Sequence, residues 1–302
     1  MAEHMGVILI VGRIEDPCCR LVHEQLAQAG RDVCVLPEDR LLPGLSFGWQ
    51  PSRDTQPGNI KYHGREIDFT DISGILCRAW GVPVSPQDFE TADGRYICAE
   101  WNALLMAWLH WMPCIVINRI KPELWYKAQL NVPDLAALVP DLSFRRPRSI
   151  VTTSSDDANE FCRSVRGPLR YSPLTRSSGY RIETEADREK LAALNGALPL
   201  YLTERVEGRA LDAFVVGSEV VLVDNSGRLD GEDSSAVTKD CLEVSRALGL
   251  TFCRLSLVAT PHGDWYCLGL DRTPQIYQCT PDAQRRIAQA LVRALSPDTE
   301  PL

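Results

Sequence analysis

Tyr201-Leu-Thr-Glu-Arg-Val-Glu-Gly-Arg-Ala-Leu-Asp-Ala-Phe-Val-Val-Gly217 reads as a strand, a polar hinge, a glycine turn and a second strand. A matching unit lies nearer the C-terminus. There Phe252-Cys-Arg-Leu-Ser-Leu-Val258 and Trp265-Tyr-Cys-Leu-Gly-Leu-Asp271 flank a His-Gly-Asp turn at 262–264. A polar loop from Asp224 to Ser235 and a helix over Lys239–Leu248 separate the two units, and a last helix is expected over Pro281–Leu295.

The other end of the chain has a different texture. Gly6-Val-Ile-Leu-Ile-Val-Gly12 is a short β-branched run, as in a buried parallel strand. A helix follows from Asp16 to Ala29, with Pro17 in its first turn, and then a strand over 32–36. This β-α-β start predicts a parallel sheet. Further strands are expected over Ile72–Trp80, which carries Arg78, and over Cys114–Asn118, with a long helix over Ala92–Trp111 between them. The tryptophans of that helix read as packing residues. No G-x-G-x-x-G follows the first strand, which argues against a Rossmann cofactor site. Gly44-Leu-Ser-Phe-Gly48 matches a nucleophile-elbow pattern, but prolines flank it and no helix follows, so a serine hydrolase is not expected. Residues 41 to 66 read as a ragged hairpin or long connection.

Between these ends, Leu124–Leu138 reads as an amphipathic helix broken at Pro133. Pro147–Thr153 reads as a strand, Ser154 and Ser155 as caps of a helix to Ser164, and Glu185–Asn195 as a polar helix. The net charge of −8 and pI near 5.2 argue against a nucleic-acid partner. No run is long and apolar enough for a membrane span. Met1–Met5 lacks the features of a secretory signal and is expected to be an added lead before a start at Met5. The eleven cysteines form no metal-type cluster and suit free thiols in a reducing cytoplasm. Cys18-Cys19, after a turn-like Glu-Asp-Pro, is a candidate reactive thiol against a structural reading.

The order of parts resembles the ATP-grasp superfamily, most of all the ligases that modify ribosomally made peptides (the microviridin or graspetide type). The motifs are Ile75-Leu-Cys-Arg-Ala-Trp80, Ala99-Glu-Trp-Asn102, Cys114-Ile-Val-Ile-Asn118, Trp125-Tyr-Lys127, the 147–153 strand, and the units at 200–223 and 249–274. The resemblance implies an α/β protein: an N-terminal parallel-sheet pre-ATP-grasp domain over 1–118, a central subdomain over 119–198 and a C-terminal subdomain over 199–302. It implies ATP and Mg²⁺ as cofactors and acyl-phosphate chemistry on a carboxylate. It also implies a peptide or small-molecule substrate, and it leaves room for an active partner enzyme or a homodimer.

Residue by residue, the resemblance assigns nucleotide contacts to Lys127, Ser172, Thr203, Glu204, Val206, Glu207 and Asp212, and a metal to Asp271. Several charges the family uses are replaced. Ser172 stands where the family has a lysine and Asp212 where it has an arginine, and Ser256 and Gly269 stand where it has metal-binding carboxylates. Arg170 is expected on the strand face opposite Ser172. Phosphoryl chemistry depends on preorganised charge, so these replacements predict a binding or accessory protein with ligation weak or lost. The alternative is an active ATP- and Mg-dependent ligase whose cations come from Lys127, Arg170, Arg176, Arg254 and Arg272, with Asp224 helping Asp271 hold metal. A third possibility is another enzyme class that uses a cysteine in the fold's cleft.

Overall fold

The computed structural model describes residues 6–37, 44–50, 57–78, 91–119, 129–139, 144–165, 167–174, 179–194, 198–229 and 235–296. The N-terminal layer is a parallel sheet in the order β2-β1-β6-β7, with β1 Val7–Val11, β2 Val33–Leu36, β6 Ile72–Cys77 and β7 Ile115–Ile117. Helix α1, Pro17–Gln28, crosses between β1 and β2, and Asp16 caps it by accepting from the Cys18 N–H. Strand alternation divides the core. Ile8 and Ile10 face α1, while Val7, Leu9 and Val11 face α2, Ala92–Trp111, through Trp108 and Leu109.

On that second side lies a small antiparallel sheet, β3 Leu45–Trp49, β4 Gly58–Tyr62 and β5 Arg65–Asp68. Phe47, Phe69 and Trp108 pack ring against ring there. Ser46 of the G-x-S-x-G pattern sits inside β3, with no strand-to-helix elbow around it. The packing role expected for the tryptophans of α2 holds for Trp108, which is fully buried, and fails for Trp111, which is 58% exposed at the helix end.

Two antiparallel sheets make up the remainder. The central one runs β11-β10-β12-β9, with β9 Ser149–Thr152, β10 Leu169–Ser172, β11 Tyr180–Ile182 and β12 Leu200–Glu204. Helices α4, Ser155–Ser164, and α5, Glu185–Leu194, lie against it, with Phe161 and Leu191 in its core. The C-terminal sheet runs β14-β13-β15-β16-β8, with β8 Gln129–Asn131, β13 Arg209–Val216, β14 Glu219–Asp224, β15 Phe252–Ala259 and β16 Trp265–Asp271.

One face of the C-terminal sheet buries Ala213, Val215, Leu255 and Leu257 with Val237, Cys241 and Val244 of α6, Ser235–Leu248. Part of the other face buries Phe214, Val216 and Phe252 under α7, Pro281–Leu295. Helix α7 also packs on α1, so its Ile287, Leu291 and Leu295 join the N-terminal layer to the C-terminal sheet. Each such side chain contributes roughly 1.5–3 kcal/mol by burial. Among the described residues, no helix is long and apolar enough to cross a membrane.

The expected helix over 124–138 needs correction. Residues 129–131 form β8, which pairs with β16, and α3, Val132–Leu138, starts after it. Pro133 therefore opens a helix, where a missing N–H has no partner to lose, and does not break one. Residues 121–128, including Lys127, lie outside the described residues, as do Trp80 and Arg176.

Candidate functional site

The central and C-terminal sheets face each other across a cleft of about 520 Å³, a size suited to a small-molecule ligand. Period-two alternation sorts the side chains on each wall. On the central sheet, Leu169, Leu200 and Leu202 point into the helix-covered core, while Arg170, Ser172, Tyr201 and Thr203 line the cleft. The expected outward face of Arg170 is thus overturned, because residues two apart on a strand share a face. Cross-strand pairs Arg170–Thr203 and Ser172–Tyr201 set this wall. Burial lowers the pKa of the Arg170 guanidinium. It pushes the Tyr201 hydroxyl up to about 12, against the lowering effects of the Val132 N–H and of Arg170.

One end of the cleft is the hinge that follows β12. Glu204, Arg205 and Val206 line it, and Glu207 is exposed beyond it, outside the lining. The hinge is fixed from outside. The Glu204 N–H donates to the Arg148 carbonyl and the Arg205 N–H to the Pro168 carbonyl, while Arg205 also pairs with Glu183 at 2.9 Å. Gly208 lets the chain turn into β13, since a Cβ there would lie 2.2 Å from the Ala259 carbonyl oxygen. The floor comes from β8 and α3, where the Asn131 amide donates to the Leu174 carbonyl at 2.8 Å.

The opposite wall is set by register. Asp212 of β13 pairs with Ser256 of β15, Ser256 with Gly269 of β16, and Gly269 with Asn131 of β8. All four positions thus lie on one rung across the sheet. Two residues along, on the same face, Arg254 stands beside Asp271. Its Nη1 lies 3.4 Å from Asp212 Oδ2 and its Nη2 lies 3.4 Å from Asp271 Oδ2. The Ser256 hydroxyl donates to Asp212 Oδ1 at 3.0 Å. Asp271 Oδ1 accepts from the Thr273 N–H at 2.9 Å.

Of the other candidates, Asp224 closes its own turn by accepting from Ser226 and Arg228, and Arg272 is buried outside the cleft lining. The Cys18-Cys19 pair is held as thiol. Burial pushes Cys18 up to about 12 and raises Cys19 further.

The pair of walls, the hinge between them and the parallel sheet alongside are one known arrangement. The fold is the ATP-grasp fold. It matches the solved structure of a RiPP-associated ATP-grasp ligase from Chryseobacterium gregarium, in complex with ADP and a leader and core peptide. That match has a TM-score of 0.77 at 14% identity and covers 98% of each chain. The macrocyclase MdnC from Microcystis aeruginosa, bound with precursor peptide MdnA, matches with a TM-score of 0.75 at 14% identity, over 95% of this chain and 99% of that one. The ATP-grasp ligase PsnB, complexed with minimal precursor, Mg and ADP, matches with a TM-score of 0.76 at 17% identity, over 96% and 97%. No family model matches the sequence, and no curated protein sequence does.

The cleft of this ATP-grasp fold suits the two implied cofactors unequally. The hinge, with Val206, Ala210 and Leu268 among the lining residues, offers a purine a backbone edge and apolar contacts. Magnesium wants several anionic oxygens in octahedral array. Asp212 and Asp271 are, among the described residues, the carboxylates this wall turns to the cleft, and Arg254 bridges both. Among the described residues, no three His, Cys, Asp or Glu side chains converge on one point. A carboxylate at 269 would also disturb the sheet, because a Cβ there would lie 2.9 Å from the Leu130 carbonyl oxygen. The described residues fit the nucleotide base and do not fit the metal.

Sequence reasoning missed Tyr201, Asn131 and Arg181 as lining residues. The signal for Tyr201 was present, since it stands two residues before Thr203 on the same strand.

Proposed function

We propose that this chain takes part in modifying a ribosomally made peptide, with an adenine nucleotide held at the hinge of its cleft. Glu204 and Val206 offer backbone to the base. Thr203, Ser172 and Arg170 line one side, and Arg254 with its two carboxylates lines the other. The chain acts by binding, as an accessory to an active enzyme, with ligation weak or lost. The single observation that carries this reading is the guanidinium of Arg254 between Asp212 and Asp271, where a ligase of this fold needs carboxylates for metal.

A second reading is an active ATP- and Mg-dependent ligase that joins a side-chain carboxylate to an amine or hydroxyl. What favours it is likeness over nearly the whole chain to ligases solved with ADP and with precursor peptides. Calorimetry with ADP and with a non-hydrolysable ATP analogue, followed by phosphate release with candidate precursor peptides, separates the two. Binding without turnover supports the accessory reading. Peptide-dependent turnover in Mg²⁺ establishes the ligase reading, and failure of both nucleotides to bind removes both.

A further inference from the structure

We propose that Arg254 is a built-in cation in place of the divalent metal, so that the cleft takes nucleotide phosphates without Mg²⁺. This rests on the nucleotide reading above and adds to it how the phosphates are met.

Three features of the wall support it. First, the guanidinium lies between carboxylates from two different strands, Asp212 on β13 and Asp271 on β16, at the same 3.4 Å from each. An arginine keeps its charge throughout the working pH range, so the position is permanently occupied by a cation. A metal ion brought to the same carboxylates would meet that charge at close range. Second, the remaining oxygen of each carboxylate is committed. Asp212 Oδ1 accepts from Ser256, and Asp271 Oδ1 accepts from Thr273 within its own turn. These two residues thereby hold the arginine and are positioning residues for it.

Third, Arg254 lines the cleft through long contacts. Its Nη1 and Nη2 each lie 3.4 Å from a carboxylate oxygen, beyond the usual span of such a bond, so both can turn to a phosphate. A guanidinium fork can meet two phosphate oxygens at once. Arg170 on the facing wall adds a second positive group. A metal-dependent ligase of this fold brings Mg²⁺ with its nucleotide. Here the cation belongs to the sheet, and nucleotide affinity should not follow magnesium.

The test is calorimetry of ADP binding to the full chain in EDTA and again in excess Mg²⁺. The expected dissociation constants agree within about twofold, and Arg254→Gln weakens binding about tenfold in both buffers. Arg254→Lys, which keeps the charge without the fork, should fall between the two. Thermal unfolding of each variant separates lost binding from lost structure, and the wild-type comparison needs no variant. A wild-type affinity that rises tenfold or more with Mg²⁺ overturns the inference and leaves the nucleotide reading standing. Absence of ADP binding in both buffers overturns the two together.

Discussion

Arg78 and Arg254 both pair with aspartates, yet the regions around them are built for opposite ends. Arg78 sits in the seam between the parallel sheet and the C-terminal sheet, with its side chain 3% exposed. Its Nε donates to Asp16 at 2.8 Å and its Nη2 to the Pro274 carbonyl at 3.1 Å, and it lies over the ring of Phe252. Arg254, in the cleft, is 17% exposed and has two contacts of 3.4 Å. Each arginine leaves one buried nitrogen unpaired, Nη1 of Arg78 and Nε of Arg254, so contact length and exposure are what distinguish them. Short contacts from several elements hold a group in one place. Long contacts to a cleft wall leave it able to exchange partners. The seam serves the fold, and the cleft keeps its polar groups for a ligand.

The seam should therefore be the more costly region to cut. Arg78→Met leaves Asp16 without its cation in a nearly closed site. Breaking a buried pair costs about 3–5 kcal/mol. The expected loss is at the lower end of that range, because Asp16 keeps its cap to the Cys18 N–H. Urea unfolding measures it. A change below 1 kcal/mol, on the scale of exposed pairs, would erase the contrast between seam and cleft.

A second cut tests whether the seam depends on one residue. The Asn118 amide donates to the Phe252 and Arg272 carbonyls, and its oxygen accepts from the Thr251 and Phe252 N–H groups. Asn118→Ala takes the side-chain partner from four backbone groups and should cost about 2–3 kcal/mol. The same two variants should leave ADP binding by the folded fraction unchanged. A parallel fall in affinity would mean that seam and cleft are one coupled region.

The seam was more legible in the sequence than the cleft, for a physical reason. Long periodic elements announce themselves, and the helices expected over 92–111 and 281–295 form with those bounds. The buried run at 7–11 and the strand expected over 72–80, which reaches Cys77, likewise follow from composition. Three-residue β8 does not, because its pairing with β16 is set by a distant strand and its own sequence reads as helix. The cleft shows the same limit. Asp212 looked like a charge reversal when read alone. Its meaning changed once register placed Arg254 beside it, and register is a property of two strands and not of one. Arg170 needed no partner to be placed; alternation alone puts it with Ser172.

The smallest expected effect concerns a third arginine, which extends the series outward. Arg293 of α7 holds Glu219 of β14 with two bonds, at 2.6 and 2.8 Å, on a pair whose side chains are each 31% exposed. Hydrogen bonding from Arg293 is the chief cause that holds the Glu219 carboxyl below its ordinary value. A carboxyl depressed on folding adds stability above the unfolded glutamate value, near pH 4.3, and that addition is lost as pH falls through the folded value. Solvent screening limits it to about 0.5–1 kcal/mol even with two bonds. Glu219→Gln should therefore lower the urea midpoint slightly at pH 7, and the gap to wild type should close below the folded pKa. A gap that stayed constant through acid would mean that the pair acts by packing α7 onto β14 and not by charge. The rule that burial grades these three arginines would then hold for Arg78 and Arg254 and stop there.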